Sequence, residues 1–247
     1  MKKIFAVIIS YNNEKTIKKL YDSINKKLFD KIIIVDDCST DKTFEIANSL
    51  GCDCYQNERN LGMGGNLKKS MNLAFSLGAD YVLEVHGDNQ YNPNEIIKGM
   101  DLINNSYDLV IGSRFVNKNP FKEDGMPFFR YLANKIFSLS TKYILNINLS
   151  EFHTGFKLFS KNFHKVVPYK ENSNSYLFSF QIILQAKLFR LKTGEISISS
   201  VYNKDVTSCN YLEGSLYLLR NFEIIILFFL AKLKLYSHPI FRNDKYR

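Results

Sequence analysis

Short apolar runs recur along the first 112 residues, and the stretches between them return an apolar side chain every three or four positions. The runs are Ile4–Ile9, Lys31–Val35, Cys52–Tyr55, Tyr81–Val85 and Leu109–Ile111. Between the first two, Ile17, Leu20, Tyr21 and Ile24 form the stripe of an amphipathic helix over Glu14–Asn25. A helix through Thr43–Leu50 stops at Gly51, and one through Leu67–Leu77 is closed by Gly78. Asn92 has the character of an N-cap, with Pro93 at the first helical position and Glu95 at the third. Strands alternating with helices at this pitch predict an α/β fold, a mostly parallel sheet with helices on both faces.

Three of these strands end in polar residues that a core strand has no use for. Ile4–Ile9 opens into Ser10-Tyr11-Asn12-Asn13, Lys31–Val35 into Asp36-Asp37-Cys38-Ser39-Thr40-Asp41, and Tyr81–Val85 into His86-Gly87-Asp88-Asn89-Gln90. In open parallel sheets the ligand lies outside the carboxyl ends of the strands, so the three clusters are expected to converge there. The glycines do not carry the chemistry. The turn after the first strand has none, Gly62-Met63-Gly64-Gly65 has the wrong spacing for a dinucleotide fingerprint, and a P-loop is absent. The carboxylates are the better starting point.

Composition narrows the partners. The formal charge is +9, yet residues 1–110 hold 13 Lys and Arg against 15 Asp and Glu, so the whole excess lies in the remainder, 20 against 9. That asymmetry points to an anionic partner, or more simply to a Lys-rich solvated surface. No nucleic-acid recognition motif accompanies it, and the basic residues are not gathered on one helix, so nucleic acid is set aside. Cys38, Cys52, Cys54 and Cys209 form no CxxC pair, which argues against zinc and disulfides and for a reducing compartment. Met1-Lys2-Lys3 leads into too short an apolar run for a signal peptide, and Ile224–Ala231, the longest apolar run, falls far short of a membrane span. A cytoplasmic protein that touches a membrane from its inner face, if at all, is expected.

The motifs, taken in order, resemble a known family. Val7-Ile8-Ile9-Ser10-Tyr11-Asn12-Asn13-Glu14, Ile33-Ile34-Val35-Asp36-Asp37-Cys38-Ser39-Thr40-Asp41, Asn60-Leu61-Gly62-Met63-Gly64 and His86-Gly87-Asp88-Asn89-Gln90-Tyr91 are followed by Gly112-Ser113-Arg114 and Glu151-Phe152-His153-Thr154-Gly155-Phe156-Lys157. The set is similar to family 2 glycosyltransferases of the nucleotide-sugar-binding GT-A fold, closest to the dolichyl- and polyprenyl-phosphate sugar synthases. The resemblance covers about residues 4–205. It implies a GT-A catalytic domain at 1–205, with a nucleotide-sugar half (1–112) and an acceptor half (113–205). Residues 206–247 form an amphipathic, basic helical segment.

The resemblance also implies roles. Tyr11 would stack near the base, and Asp36 and Asp37 would accept hydrogen bonds from base and ribose, although acids at a βα turn also cap helices, as Asp41 and Ser39 would. Ile9, Asn13, Asn60, Gly62, Gly64, His86 and Gln90 complete the nucleotide-sugar site. Asn60 and Asn66 would fix a loop whose glycines admit backbone close to the nucleotide. Asp88 is the second acid of the family's Asp-x-Asp motif, which holds Mg²⁺ or Mn²⁺ against the diphosphate. His86 stands where the first acid is usual. Asp88, His86 and Gln90 are the candidate metal ligands, with Glu84 as a fallback. Ile9 replaces a usual proline and Asn13 a usual acid, which leaves the choice between UDP and GDP open.

Glu151 occupies the acid position of the family's Asp-x-x-x-Gly-Phe motif, and Asp88, Glu151 and Arg114 are the candidate catalytic residues. Glu151 could act as base toward an acceptor hydroxyl. A lipid phosphate needs no base, and then Arg114, His153 and Lys157 would contact it. The aromatic segment Pro127–Leu145 and the segment Leu216–Leu235, flanked by Arg220, Lys232 and Lys234, have the composition of helices lying on anionic lipid. Packing on the catalytic core or a homo-oligomer interface would use the same pattern. An inverting transfer from a UDP- or GDP-sugar to a polyprenyl phosphate is therefore expected, against transfer to a sugar hydroxyl in capsule, lipopolysaccharide or glycoprotein glycan assembly, or a binding protein of weak activity.

Overall fold

The computed structural model describes residues 2–202 and 211–243, so the predicted boundary at 205 and Cys209 lie outside the described residues. The strands are β1 (Ile4–Ser10), β2 (Lys31–Asp36), β3 (Asp53–Gln56), β4 (Tyr81–His86), β5 (Leu109–Ser113), β6 (Lys157–Ser160) and β7 (Thr193–Ser197). The α-helices are α1 (Ile17–Ser23), α2 (Thr43–Asn48), α3 (Met63–Ser76), α4 (Met100–Asn104), α5 (Pro120–Glu123), α6 (Phe128–Leu145), α7 (Lys161–Val166), α8 (Phe178–Leu188) and α9 (Tyr211–Lys232). One sheet takes the order β3-β2-β1-β4-β6-β5-β7.

β1 shows why the fold closes. All seven of its residues are buried, because successive side chains point to opposite faces and both faces are covered. Phe5, Val7 and Ile9 enter one apolar core with α3, α8 and α9, while Ile4, Ala6 and Ile8 enter the other with α1. Fully burying an aliphatic side chain contributes about 1.5–3 kcal/mol, so this one strand is a large share of the driving force. The chain runs outward from β1 to β2 and β3, then returns to place β4 on the opposite flank of β1. That reversal opens the crevice of a doubly wound sheet.

The expected mostly parallel α/β sheet is present; Glu195–Tyr202 also reads as a strand in the sequence and overlaps β7, whereas β6 has no such signal. β6 is antiparallel to both β4 and β5, with Lys157 opposite Glu84 on one side and Ile111 on the other. A four-residue strand that opens on a lysine carries no alternation to reveal it.

Two smaller differences have local causes. Asn92 does accept a hydrogen bond from Asn94 N–H at 3.0 Å, but Pro93–Gly99 is a 3-10 turn before α4 begins. The segment expected as a glycine loop is already helix, since α3 starts at Met63 after Gly62 turns the chain at φ +77°. A Cβ at Gly64 would stand 2.5 Å from the Ser173 carbonyl oxygen and 2.9 Å from that of Ser175. Gly64 thus serves close packing of α3 against residues 173–175, not backbone access for a ligand.

Helix propensity favours alanine over glycine by about 1 kcal/mol, whereas the backbone clash at Gly64 opposes it. Gly64→Ala is expected to destabilise the fold by about 1–3 kcal/mol in urea unfolding, while the same change at Gly78 in open space, strained only by its φ of +95°, costs less.

Candidate functional site

The strand register brings the three polar clusters level. Ser10 pairs with Asp36 across β1 and β2, and Ile9 pairs with His86 across β1 and β4. Each chain then leaves its strand through one residue in the left-handed region: Asn12 at φ 52°, Cys38 at φ 60° and Asn89 at φ 58°. Asparagine tolerates that conformation, whereas at Cys38 it is strained and is held by the surrounding turn. Asn12 accepts from Thr40 N–H at 2.9 Å, and its own N–H donates to Ser39 Oγ at 2.9 Å, which stitches the first turn to the second.

These turns form one wall of a cleft of about 1100 Å³. Ile9, Tyr11, Asn13, Asp37, Asn60 and Gly62 line it from the first half of the chain, with His86, Asp88 and Gln90 at the β4 tip. Arg114 and His153 line it from the second half. Tyr11 is 46% exposed, free to present a ring face. Asp37 accepts from Asn57 Nδ2 at 2.7 Å and Leu61 N–H at 2.9 Å, and Asn60 accepts from Gly62 N–H at 2.9 Å. Asp88 is buried at the cleft wall, where Oδ1 accepts from Gln90 N–H at 3.1 Å.

Four predicted site residues are absent from the wall. Besides Gly64, Asp36 is fully buried and accepts from Ser39 N–H and Oγ and from Gln56 Nε2, so it braces the turn after β2. Glu151 is fully buried as well. Its Oε2 accepts from Arg114 N–H at 2.7 Å and its Oε1 from Arg114 Nε at 2.8 Å, with the Arg114 Nη2 also upon it. A carboxylate occupied in this way is a partner for Arg114 rather than a free base. Lys157 is fully buried too, with Nζ donating to the Thr154 carbonyl and to Ser179 Oγ at 3.2 Å, and lying 3.8 Å from Glu84 Oε2. It is neither a surface lysine nor a direct phosphate contact. Glu84, the fallback ligand, is spent in the same network, since its Oε1 lies 2.8 Å from His86 Nε2.

The buried charges set one another's protonation. Burial alone would lower the Arg114 pKa, but the Glu151 carboxylate raises it well above the ordinary arginine value. Burial pulls His86 down and the Glu84 hydrogen bond and charge lift it, with a net rise. Lys157 is lowered, chiefly by burial, against the opposing pull of Glu84. His153 is packed between Phe137 and Phe180, and Nδ1 meets Tyr217 Oη at 3.0 Å. Desolvation, with Arg114 and Lys157 close by, pushes its pKa down to about 3.

The opposite wall comes from α6 and α9, through Phe129, Arg130, Asn134, Tyr217 and Leu218. Arg130 is the residue that sequence reasoning missed. It reaches the cleft and has no hydrogen bond or ion pair among the described residues. Its signal was present in the sequence, as a lone arginine inside the aromatic run Phe128–Phe137, but only the fold turns it inward. The outer faces of both helices are apolar and exposed, with Tyr143 at 78%, Leu219 at 65% and Ile226 at 61%. No helix among the described residues is long and apolar enough to cross a membrane.

Glu151→Ala leaves a buried guanidinium uncompensated and is expected to cost about 3–5 kcal/mol in urea unfolding. His153 also gives a pH signature, because the unfolded chain takes up a proton near 6.5 and the folded one only near 3. As pH falls through that window the parent should lose stability relative to His153→Gln, and matched unfolding curves at each pH read the difference.

The model of glycosyl transferase family 2 matches residues 5–167. A UDP-N-acetylglucosamine–dolichyl-phosphate N-acetylglucosaminyltransferase of Methanococcus voltae is 30% identical over 221 residues, 82% of this chain and 87% of its own length. A dolichol-phosphate mannosyltransferase of Pyrococcus furiosus is 28% identical over 140 residues, 54% of this chain and 38% of its own. Among solved structures, glucosyl-3-phosphoglycerate synthase of Mycobacterium tuberculosis, in complex with Mn²⁺, UDP-glucose and phosphoglyceric acid, superposes with a TM-score of 0.68 at 16% identity. The superposition covers 96% of this chain and 81% of that one, and at such identity it speaks for the GT-A fold alone. With the sheet, the crevice and the family match in agreement, the chain belongs to glycosyl transferase family 2 and is a glycosyltransferase.

Proposed function

We propose that the protein moves a sugar from a UDP-sugar to a polyprenyl phosphate, with inversion at the anomeric carbon, while lying peripherally on the inner face of a membrane. One observation carries the choice of acceptor. Among the described residues lining the cleft, the carboxylates are Asp37 and Asp88, both on the nucleotide side. Glu151 is locked to Arg114, and His153 is too weak a base to take a hydroxyl proton. A sugar hydroxyl would need a base on that wall, whereas a phosphate arrives already anionic. What the wall does offer is the unpaired guanidinium of Arg130.

The remaining roles follow from position. Tyr11 stacks on the base, and Asp37 accepts from base or ribose. Asn13, Asn60 and Gly62 hold the donor along the first turns. Asp88, with His86 and Gln90, lies where a divalent cation would meet the diphosphate; those groups are oxygen and imidazole donors and fit such an ion. When bound, the cation offsets the charge that develops on the leaving diphosphate. Arg130 and the cleft edge of Arg114 orient the acceptor phosphate through charge-assisted hydrogen bonds. Its oxygen forms a bond to the anomeric carbon as the bond to the diphosphate oxygen breaks on the opposite face. The electron pair departs with UDP.

The acceptor class is supported by the Methanococcus voltae relative, whose name states both UDP-N-acetylglucosamine and dolichyl phosphate. The exposed apolar outer faces of α6 and α9 suit a lipid surface, and both helices line the cleft. A lipid-linked phosphate would enter from that side.

Radiolabelled UDP-N-acetylglucosamine incubated with Mn²⁺ and a polyprenyl phosphate should deliver label to the organic phase; label that goes only to water-soluble glycans points instead to a hydroxyl acceptor. Asp88→Asn should lower turnover by about a hundredfold or more, the equivalent of the few kcal/mol that a Lewis acid supplies, with Tm unchanged. Arg130→Ala should raise KM for the lipid phosphate by about tenfold or more, the worth of a hydrogen bond to a charged group, and leave UDP binding as it was.

A further inference from the structure

The imidazole at the β4 tip is fixed more firmly than a merely packed ring requires. His86 Nε2 points inward to Glu84 Oε1 at 2.8 Å, and the Glu84 side chain has no solvent exposure. The other Glu84 oxygen faces the Lys157 ammonium at 3.8 Å, so the acid is buried with a counter-charge. Gly155 closes the ring from the other side, since a Cβ there would fall 2.7 Å from Nε2 and 2.8 Å from Cε1. A carboxylate on one ring nitrogen keeps that nitrogen protonated and directs the lone pair to the other. Here the other nitrogen is Nδ1. It has no partner among the described residues and, unlike His153 Nε2, is not sealed from solvent. His86 and Asp88 line the same cleft two residues apart.

Among the described residues no group of three or more His, Cys, Asp or Glu could hold a metal. His86, Asp88 and the Gln90 amide are too few for tight binding by the protein alone, so a nucleotide diphosphate must supply more oxygens. The donor set is also unlike a pair of acids. Mg²⁺ takes oxygen ligands in a strict octahedron, whereas an imidazole nitrogen belongs to the transition-metal donor set.

We propose, building on the sugar-nucleotide reading above and the cation it places beside Asp88, that Glu84 is the residue positioning the His86 imidazole so that Nδ1 is its metal-facing nitrogen, and that this donor set takes Mn²⁺ in preference to Mg²⁺. The buried Lys157 neutralises Glu84, which keeps the carboxylate inside the sheet and available to the ring. The site therefore reaches three side chains deep: Asp88 and His86 at the metal, Glu84 behind His86, and Lys157 behind Glu84.

Calorimetry of the full chain with Mn²⁺ and with Mg²⁺, each with and without UDP, combined with pulsed electron paramagnetic resonance of the Mn²⁺ complex, tests this. The expected result is Mn²⁺ binding in the presence of UDP, tighter than Mg²⁺, with the nitrogen modulation of a directly bound imidazole. His86→Asp should abolish that modulation and even out the two metals. Glu84→Gln should weaken Mn²⁺ binding by about ten- to a hundredfold, the usual cost of removing a ligand's outer partner. If that variant does not fold because Lys157 is stranded, the double change Glu84→Gln with Lys157→Met removes both charges and carries the same measurement. A Mn²⁺–UDP complex without nitrogen coupling, or His86→Ala binding Mn²⁺ as tightly as the parent, overturns the proposal and leaves the sugar-nucleotide reading standing. An unchanged affinity in Glu84→Gln removes Glu84 from it. Failure of both metals to bind with UDP overturns the proposal and the sugar-nucleotide reading together.

Discussion

The register of β1 between its two parallel neighbours is the constraint on which the site depends. A strand buried on both faces has no freedom to slip, because a shift of one residue would exchange its two apolar sets between cores already filled. With β1 pinned, Ser10 must stand beside Asp36 and Ile9 beside His86. The three polar turns are then forced onto one edge, where the order of strands reverses. The cleft is a consequence of core packing in β1, and the polar residues at its rim need no long-range guidance of their own.

The second half of the chain completes that edge by placing charge inside the sheet. β6 runs antiparallel between β4 and β5 and brings Lys157 opposite Glu84, while Arg114, just past β5, closes on Glu151. Ionised groups so deeply placed would each cost several kcal/mol if left alone, and each has an opposite charge and further hydrogen bonds instead. Arg114 donates to Tyr202 as well as to Glu151, and Lys157 to Thr154 and Ser179. The two pairs meet the cleft through Arg114 and His86, so the rigidity of the interior is passed to groups that face the ligand. An acid that heads a family motif, Glu151, is here part of that interior.

The division of the cleft between two walls has the same origin. The strand-end wall is rigid, built on turns that are hydrogen-bonded to one another. The helical wall from α6 and α9 is apolar outside and carries Arg130 inside. In the proposed function the first wall holds the hydrophilic donor and the second receives the amphiphilic acceptor.

Much of the first half was legible in the residues. Apolar runs of strand length, helical stripes and glycine stops follow from local periodicity, and five strands and their order of appearance came from that alone. So did the gathering of Tyr11, Asn13, Asp37, His86, Asp88 and Gln90, because each lies within a few residues of a strand end. The sequence could not reveal which polar residues face the cleft and which face the interior. Asp36 and Asp37 are adjacent, yet one braces a turn and the other lines the wall, since neighbours at a strand end point opposite ways. Lys157 looked like a phosphate ligand because a lysine is buried only when a distant partner compensates it, and Glu84 is 73 residues away in the chain. Gly64 was read as loop because its crowding comes from Ser173 and Ser175. Local pattern determined the elements and the chemistry at their tips. Tertiary packing alone decided which charges were paired, because pairing depends on distance in space and on burial, and neither is encoded within a short window of residues.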